Sequence, residues 1–221
     1  MMKVVEIFLS IEGEGKRAGL PAVFIRLAGC NLHCSYCDTR YACDKPEYTE
    51  MSIKQILEKV ESFGCQRVTL TGGEPLIHGG VKQLIDALCT NDFEVNVETN
   101  GSVDVYPFRV DDEGLEYENL FFTIDYKCPS SEMEYKMVES NFIYAGEEDV
   151  VKFVVGSKED MDKALEVIRK SITIAQVYFS PVFGKIEPKE IVEFILEKKA
   201  FDVSVQIQLH KIIWEPEMRG V

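Results

Sequence analysis

The sequence lacks a long hydrophobic run, and it carries few cations. No uninterrupted apolar stretch reaches the roughly 18 residues of a membrane span, and no small-residue cleavage site follows the short apolar run at the N-terminus. The chain has 24 Lys and Arg residues against 38 Asp and Glu residues, which gives a net charge of −14. Such a chain does not attract phosphate backbones or anionic lipids in general. We therefore expect a small-molecule ligand, and neither a nucleic acid, a membrane nor a secretory route.

Cysteine is present in an odd number and is unevenly spaced. Three of the seven cysteines, Cys30, Cys34 and Cys37, stand in the segment GCNLHCSYCDT with the spacing C-x3-C-x2-C. Irregular spacing argues against a disulfide framework and for a reducing, cytoplasmic environment. We expect the other four to be ordinary buried thiols. These are Cys43, Cys65, Cys89 and Cys128.

The three clustered cysteines indicate a metal site with one open position. A closed structural zinc site has four protein ligands, usually two separated pairs of Cys or His residues. The sequence has no second such pair. Three thiolates suit a four-iron cluster in which one iron is free to bind a small molecule. Zinc bound with His33 or Cys43 as the fourth ligand, or a set of redox thiols, is the alternative interpretation.

Strand-like and helix-like segments alternate along the chain. This alternation predicts right-handed crossovers and a largely parallel sheet, which could curl into an open, incomplete barrel within one domain of residues 1–221. The predicted strands are 22–29, 66–70, 94–98, 120–125, 150–155, 177–180 and 203–210. The predicted helices are 53–63, begun by an N-cap at Ser52, and 81–89, 160–171 and 188–199. Two acidic, weakly periodic segments are predicted to be loop insertions, 102–118 with room for a hairpin, and 128–148.

Polar motifs follow the carboxyl ends of most of these predicted strands. The motifs are the cysteine segment, TGGEP, ETNG, DYK, the Ser-Pro pair at 180–181 and QLHK. In barrels and open α/β sheets the active site is built at this edge. The sequence therefore predicts that these segments meet in one site.

The same motifs carry a resemblance to a known family. C-x3-C-x2-C followed by GGEP resembles radical S-adenosylmethionine (SAM) enzymes. Within that superfamily, SIEGEG, the Arg of FIRLAGC, CDT, TGGEP, ETNG and QLHK resemble the 7-carboxy-7-deazaguanine synthase family over most of the chain. The resemblance implies an α/β fold with an incomplete TIM-like barrel, and a lyase of queuosine and deazapurine biosynthesis. Its reaction would be a radical-mediated ring contraction of 6-carboxy-5,6,7,8-tetrahydropterin with loss of ammonia.

The resemblance also implies cofactors, partners and site residues. Cys30, Cys34 and Cys37 would hold a [4Fe-4S] cluster, Thr39 would bind Mg2+, and an electron donor such as flavodoxin or ferredoxin and a homodimer would be expected. The residues implied for SAM are Tyr36, Cys37, Asp38, Gly73, Glu74, Asp125, Tyr126, Lys127 and Ser180. The residues implied for the pterin are Ile11, Glu12, Gly13, Glu14, Arg26, Thr71, Glu98, His210 and Val221, the last through its carboxylate. The chain departs from the family pattern at Glu12, where Gln is common, and at DYK, where a Ser-Pro-Lys triplet is expected.

Arg26 stands inside an otherwise apolar strand, where an unpaired guanidinium would be costly to bury. An anion must therefore meet it. The anion is either an internal carboxylate, from Glu12, Glu14 or Glu98, or the carboxylate of the substrate, which an arginine can bind with two hydrogen bonds.

Two further functions are compatible with the cysteine spacing. One is an activase that installs a glycyl radical on a partner protein. The other is a non-enzymatic zinc or iron-sulfur module. A substrate-sized set of arginine and glutamates disfavours the activase, and metal content separates the module from the enzymes.

Overall fold

The computed structural model describes all 221 residues, which form one open sheet with helices against it. The sheet has nine strands in the order β3-β1-β2-β4-β5-β6-β7-β8-β9. The strands are β1 (Met2–Ile11), β2 (Pro21–Leu27), β3 (Thr49–Met51), β4 (Arg67–Gly72), β5 (Glu94–Thr99), β6 (Leu120–Lys127), β7 (Val150–Val155), β8 (Gln176–Pro181) and β9 (Val203–Val205). From β2 to β9 all neighbours are parallel, whereas β1 pairs antiparallel with both β2 and β3.

Eight α-helical segments connect the strands. They are α1 (Arg40–Cys43), α2 (Ile53–Glu61), α3 (Val81–Thr90), α4 (Tyr106–Arg109), α5 (Asn141–Tyr144), α6 (Lys158–Lys170), α7 (Pro188–Lys198) and α8 (His210–Ile213). Helix α2 begins as predicted, because Ser52 accepts from the backbone of Gln55 and the Gln55 side chain accepts from the Ser52 N–H. None of the helices has both the length and the apolar composition needed to cross a bilayer.

The two faces of each central strand have different chemistry. On β7, Val151 and Phe153 belong to a core of 41 buried residues shared with the long helices, whereas Lys152 points to the opposite face. Strand β6 repeats the pattern, with Phe122 in the core and Asp125 on the inner face. Successive side chains of a strand point to opposite faces. Apolar residues therefore pack against the helices and polar residues line the concave side of a partial barrel.

Most of the predicted elements are confirmed, and the last predicted strand is wrong beyond Val205. Val203–Val205 pairs with β8, and the N–H of Gln206 makes one further bond to Phe179 O. The N–H of Leu209 then donates to Gly13 O, which draws the chain across the sheet edge into α8. Strands β1 and β3 were not predicted. The α/β class and the incomplete barrel are confirmed, because the edge strands β3 and β9 do not pair with each other.

The two acidic segments hold little regular structure. Residues 102–118 contain α4 and a single antiparallel bridge between Val110 and Glu116, so no extended hairpin forms there. Residues 128–148 contain two 3-10 turns, Pro129–Ser131 and Glu134–Lys136, and α5.

Candidate active site

One cavity of about 500 Å³ opens at the carboxyl ends of the parallel strands. The cysteine loop between β2 and α1 forms one wall, the polar inner faces of β4 to β7 form the floor, and the C-terminal segment forms another wall. The structure brings most of the predicted site residues together here. Those that line the cavity are Ile11, Glu12, Gly13, Glu14, Arg26, Cys30, Cys34, Tyr36, Cys37, Asp38, Thr39, Thr71, Gly73, Glu98, Asp125, Lys127, His210 and Val221.

The three cysteines of the motif are free thiols on this wall. The backbone N–H of Leu32 lies 3.4 Å from Cys30 Sγ, and Asn100 Nδ2 lies 3.6 Å from the same sulfur. Contact with Cys43 lowers the pKa of Cys30 to about 6 and that of Cys37 to about 7. A thiolate is the form that binds metal. Burial raises the pKa of the third thiol, Cys34. Three cysteine sulfurs on one wall, two of them with lowered pKa values, fit an iron-sulfur cluster.

Cys43 is not the ordinary buried thiol that the sequence predicted. It is half-buried, not buried, and it lines the cavity beside Cys30 and Cys37. Cys65 is also only half-buried, whereas Cys89 and Cys128 are buried as expected. His33 is exposed, 3.8 Å from Asp44, and lies outside the cavity lining.

The glycines of TGGEP lie directly under the cysteine loop. A Cβ on Gly73 would stand 2.3 Å from Gly29 O and 2.7 Å from the Cβ of Cys30. Only a residue without a side chain lets these two segments approach so closely. Gly73 therefore leaves backbone facing the space in front of the thiols.

Glu74 does not line the cavity. Its carboxylate is fully buried and accepts from Leu76 N, Thr99 Oγ1 and Asn100 N at 2.6 to 3.0 Å. Burial raises its pKa to about 7. Glu74 therefore ties the end of β4 to the end of β5.

Two other predicted residues also lie off the cavity lining. Tyr126 is in the apolar core on the outer face of β6, where its ring packs against Phe142 and Phe153. Ser180 is fully buried and its hydroxyl donates to Glu14 Oε1 at 2.7 Å. Ser180 therefore acts on the cavity through Glu14.

Paired charges cover the floor of the cavity. Lys127 Nζ lies 2.6 Å from Asp125 Oδ2, and Lys152 Nζ lies 3.0 Å from Glu14 Oε2 and 4.0 Å from Asp125 Oδ2. Burial opposes the charge of both lysines, but the carboxylates raise the pKa of each above its usual value. Asp125 Oδ1 is buried and has no hydrogen-bond donor. It is an unused acceptor beside the cysteine loop, of the kind that a ribose hydroxyl would satisfy.

Asp38 and Thr39 form the rim next to the last cysteine. Lys211 Nζ lies 2.7 Å from Asp38 Oδ2, and Thr39 Oγ1 donates to Asp38 Oδ1 at 2.9 Å. Partial burial at the rim tends to raise the pKa of Asp38, whose side chain is 48% exposed, but the charge of Lys211 outweighs it and the pKa falls to about 2. Hydroxyl and carboxylate oxygens are the ligands that Mg2+ accepts. The rim thus fits the ion chemically.

Glu12 is the most perturbed carboxyl on the substrate side. It is 2% exposed and accepts from the Thr69 hydroxyl. Burial, and then the charge of Glu98, raise its pKa to about 8. At neutral pH Glu12 is therefore protonated and can donate as well as accept.

Arg26 is paired, but with a residue outside the predicted set. Its Nε lies 2.7 Å from Glu6 Oε1 on β1, and not against Glu12, Glu14 or Glu98. Tyr41 also donates to Glu6 Oε1 at 2.9 Å. Because β1 was not recognised as a strand, its register opposite β2, with Glu6 beside Arg26, could not be foreseen.

His210 covers the Gly13 backbone at the mouth of the cavity. A Cβ on Gly13 would meet His210 Nδ1 at 2.3 Å. Burial lowers the pKa of His210. The ring is therefore neutral at physiological pH, with one nitrogen able to accept and the other to donate.

The cavity lining includes residues that the sequence prediction missed, among them Tyr41, Lys152, Lys211 and Arg219. A signal existed for Lys152, since a lone cation interrupts the apolar strand VVKFVV just as Arg26 interrupts its own strand. Lys211 belongs to the QLHK motif, which was itself predicted to reach the site. No comparable signal marks Tyr41 or Arg219, because they stand in short or irregular segments.

Comparisons with known proteins give a consistent result. The Radical SAM superfamily model matches residues 24–198. The chain is 47% identical over 224 residues to a 7-carboxy-7-deazaguanine synthase from Clostridium acetobutylicum, covering 99% of both chains. It is 39% identical to the enzyme of the same name from Chlorobaculum tepidum, covering 100% of this chain and 97% of the other.

Solved structures agree on the fold. QueE from Escherichia coli matches with a TM-score of 0.74 at 23% identity, covering 94% of this chain and 93% of that one. SuiB from Streptococcus suis, crystallised with S-adenosylmethionine, matches with a TM-score of 0.55 over 81% of this chain and 44% of that one. Full-length identity of this degree, together with the superfamily match, shows that the chain belongs to the 7-carboxy-7-deazaguanine synthase family of the radical SAM superfamily.

Proposed function

We propose that the chain converts 6-carboxy-5,6,7,8-tetrahydropterin into 7-carboxy-7-deazaguanine with loss of ammonia, as a carbon-nitrogen lyase of queuosine and deazapurine biosynthesis. The observation that carries the proposal is the full-length identity of 47% to a relative of that name. The cavity supports it, because thiols, acceptors and cations face one space of about 500 Å³. Cys43, which contacts Cys30 and Cys37, is the one feature of the cavity that suits the zinc alternative, and metal content separates that alternative from the enzyme. No feature of the cavity favours the activase.

Cys30, Cys34 and Cys37 would hold the [4Fe-4S] cluster, in keeping with their free thiols and the low pKa values of Cys30 and Cys37. A reduced cluster held there would supply the electron that splits SAM into methionine and a 5′-deoxyadenosyl radical. The protein orients the ligands and limits the access of water. Leu32 and Asn100 would support Cys30 by pointing donors at its sulfur.

SAM would lie between the cysteine loop and the strand ends. The Gly73 backbone would face the methionine part, and Asp125 Oδ1 would accept from a ribose hydroxyl. Lys127 would meet the methionine carboxylate while holding Asp125 in place. Tyr36 and Asp38, which flank Cys37, would contact the adenosine.

Three residues predicted to bind SAM would instead hold the walls of its site in place without touching SAM. Glu74 would hold the ends of β4 and β5 together, and Tyr126 would pack β6 against the core. Ser180 would orient Glu14 toward the ligand.

The pterin would lie on the other side of the cavity. Its amide and amino edge needs both donors and acceptors, and a protonated Glu12 beside the Glu98 side chain offers both. Arg26 would meet the substrate carboxylate. The remaining contacts would come from Thr71, Glu14, His210, the Ile11 and Gly13 backbone and the carboxylate of Val221.

Thr39 would contribute to a Mg2+ site, with substrate oxygens and water completing the shell, because Mg2+ keeps several non-protein ligands. The electron donor would be a flavodoxin or ferredoxin, and we propose a homodimer in the cytoplasm.

The test is anaerobic turnover of the iron-reconstituted protein with SAM, Mg2+, a strong reductant and 6-carboxytetrahydropterin. Mass spectrometry should detect 5′-deoxyadenosine and 7-carboxy-7-deazaguanine together. 5′-Deoxyadenosine without the deazaguanine would retain the radical class and reject this substrate. Neither product, with zinc in place of about four irons per chain, would reject the cluster.

A further inference from the structure

The C-terminal segment places a cation, Arg219, in the cavity lining, and this cation has no counterion. Residues 216–221 all line the cavity. The four other Lys and Arg side chains of the lining are each paired with a carboxylate, whereas Arg219 makes neither an ion pair nor a hydrogen bond. The pairs are Arg26 with Glu6, Lys127 with Asp125, Lys152 with Glu14, and Lys211 with Asp38.

Arg219 is exposed, and its guanidinium stacks on an aromatic ring. Its Cζ lies 3.8 Å from the centre of the Tyr41 ring. The Tyr41 hydroxyl donates to Glu6, and Arg26 Cζ lies 5.9 Å from the centre of the same ring. Two guanidiniums therefore flank one tyrosine, and the single carboxylate of Glu6 balances only one of them.

A stacked guanidinium keeps its N–H edge free for an acceptor. The stacking fixes the plane, so that two parallel hydrogen bonds to a carboxylate cost little further ordering. Arg26 has already committed its Nε to Glu6. The free edge of Arg219 is thus the better-placed donor for an anion that enters between the two arginines.

We propose that Arg219 binds the carboxylate of the substrate, next to Arg26, and so selects a carboxylated ring over its neutral counterparts. This inference rests on the proposed function, which supplies the pterin carboxylate. It assigns to the C-terminal segment a role in specificity, and to Glu6 and Tyr41 the role of positioning the two guanidiniums.

The experiment compares two ligands on three variants of the holoenzyme. The ligands are 6-carboxytetrahydropterin and its 6-carboxamide, which has the same shape without the charge. The variants are Arg219→Gln, Arg219→Lys and the control Arg169→Gln, which removes an exposed charge from α6, away from the cavity. Calorimetry gives Kd without turnover, and kinetics gives KM and kcat.

Arg219→Gln should raise Kd and KM for the carboxylate about 10- to 100-fold, the usual effect of losing a charge-assisted hydrogen bond. Its Kd for the carboxamide should change less than about 3-fold. Arg219→Lys should fall between Arg219→Gln and the wild type, and Arg169→Gln should match the wild type. Binding of SAM should be unchanged in all three.

Two results would overturn the inference. Equal weakening of both ligands would mean that Arg219 only pins the segment against Tyr41, and no weakening would mean that it does not meet the substrate. Tight binding of the pterin by the wild type without formation of product would count against the proposed reaction alone. A wild type that does not bind the pterin would overturn both.

Discussion

Replacing Glu12 with Gln tests whether the buried carboxyl of Glu12 in the cavity lining is protonated. Glu12 is 2% exposed, and burial followed by the charge of Glu98 raises its pKa from 4.5 to about 8. The folded chain therefore holds a proton that the unfolded chain has released once the pH exceeds 4.5. Because the folded state binds more protons between pH 4.5 and 8, this group makes the protein less stable as the pH rises through that window.

The size of the effect follows from the pKa shift. One pKa unit corresponds to about 1.4 kcal/mol, so the full shift sets an upper limit of roughly 5 kcal/mol at pH 8. The cavity is open to water, and the interaction with Glu98 is shared by both groups, so we expect roughly 2 to 3 kcal/mol. Glutamine mimics the protonated form and does not titrate. Glu12→Gln should therefore match the wild type within about 1 kcal/mol at pH 5 and exceed it by roughly 2 to 3 kcal/mol at pH 8.

The assay is urea unfolding under anaerobic, reducing conditions at intervals from pH 5 to pH 8.5. Glu118→Gln serves as the control, because Glu118 is exposed and makes no ion pair, and its stability curve should run parallel to that of the wild type. Parallel curves for Glu12→Gln and the wild type over the whole range would refute the reasoning. So would a loss of stability at pH 8, which would mean that the ionised carboxylate is needed by Thr69 or another donor.

For four further substitutions the structure predicts a definite result. Lys152→Met leaves the Glu14 carboxylate buried without its cation and should cost roughly 3 kcal/mol in urea unfolding. Gly73→Ala would place a methyl group 2.3 Å from a backbone oxygen of the cysteine loop, so the iron content of reconstituted protein should fall by more than half. Thr39→Ala should raise the Mg2+ concentration for half-maximal activity about 10-fold with the iron content unchanged, as expected for loss of one ligand. Cys34→Ser should abolish iron binding and leave far-ultraviolet circular dichroism unchanged.

Each of these has a distinct contrary outcome. Full stability of Lys152→Met would show that water replaces the cation, and full iron loading of Gly73→Ala would show that the two loops can separate. An unchanged Mg2+ dependence in Thr39→Ala would remove this hydroxyl from the ion's shell. Lost secondary structure in Cys34→Ser would mean that the thiol also supports the fold.

The sequence was a good guide to the sheet, because a buried parallel strand needs an apolar run that stands out from its surroundings. It failed at β1, where the alternation of MKVVEIFLSI is interrupted by a charge at Glu6, whose partners Arg26 and Tyr41 come from other segments of the chain. It also failed after Val205, because QIQLH alternates like a strand until Leu209 bonds to Gly13, far away in the chain.

The site was predictable where its residues stand together in one short motif, and less so where residues from distant segments of the chain come together. The thiols and Gly73 follow from local spacing. The ion pair of Lys152 with Glu14, 138 residues away in the chain, and the stacking of Arg219 on Tyr41 are contacts that only the folded sheet creates.

The division of each strand into two faces also bears on how the protein matures. The 41-residue core lies on the helix side and includes none of the three motif cysteines. Small metal-binding domains fold only with their ion, because the ligands are most of their interior. The motif cysteines of this chain stand outside its core, so we expect the sheet and its helices to form without iron and the cluster to be assembled on a folded chain.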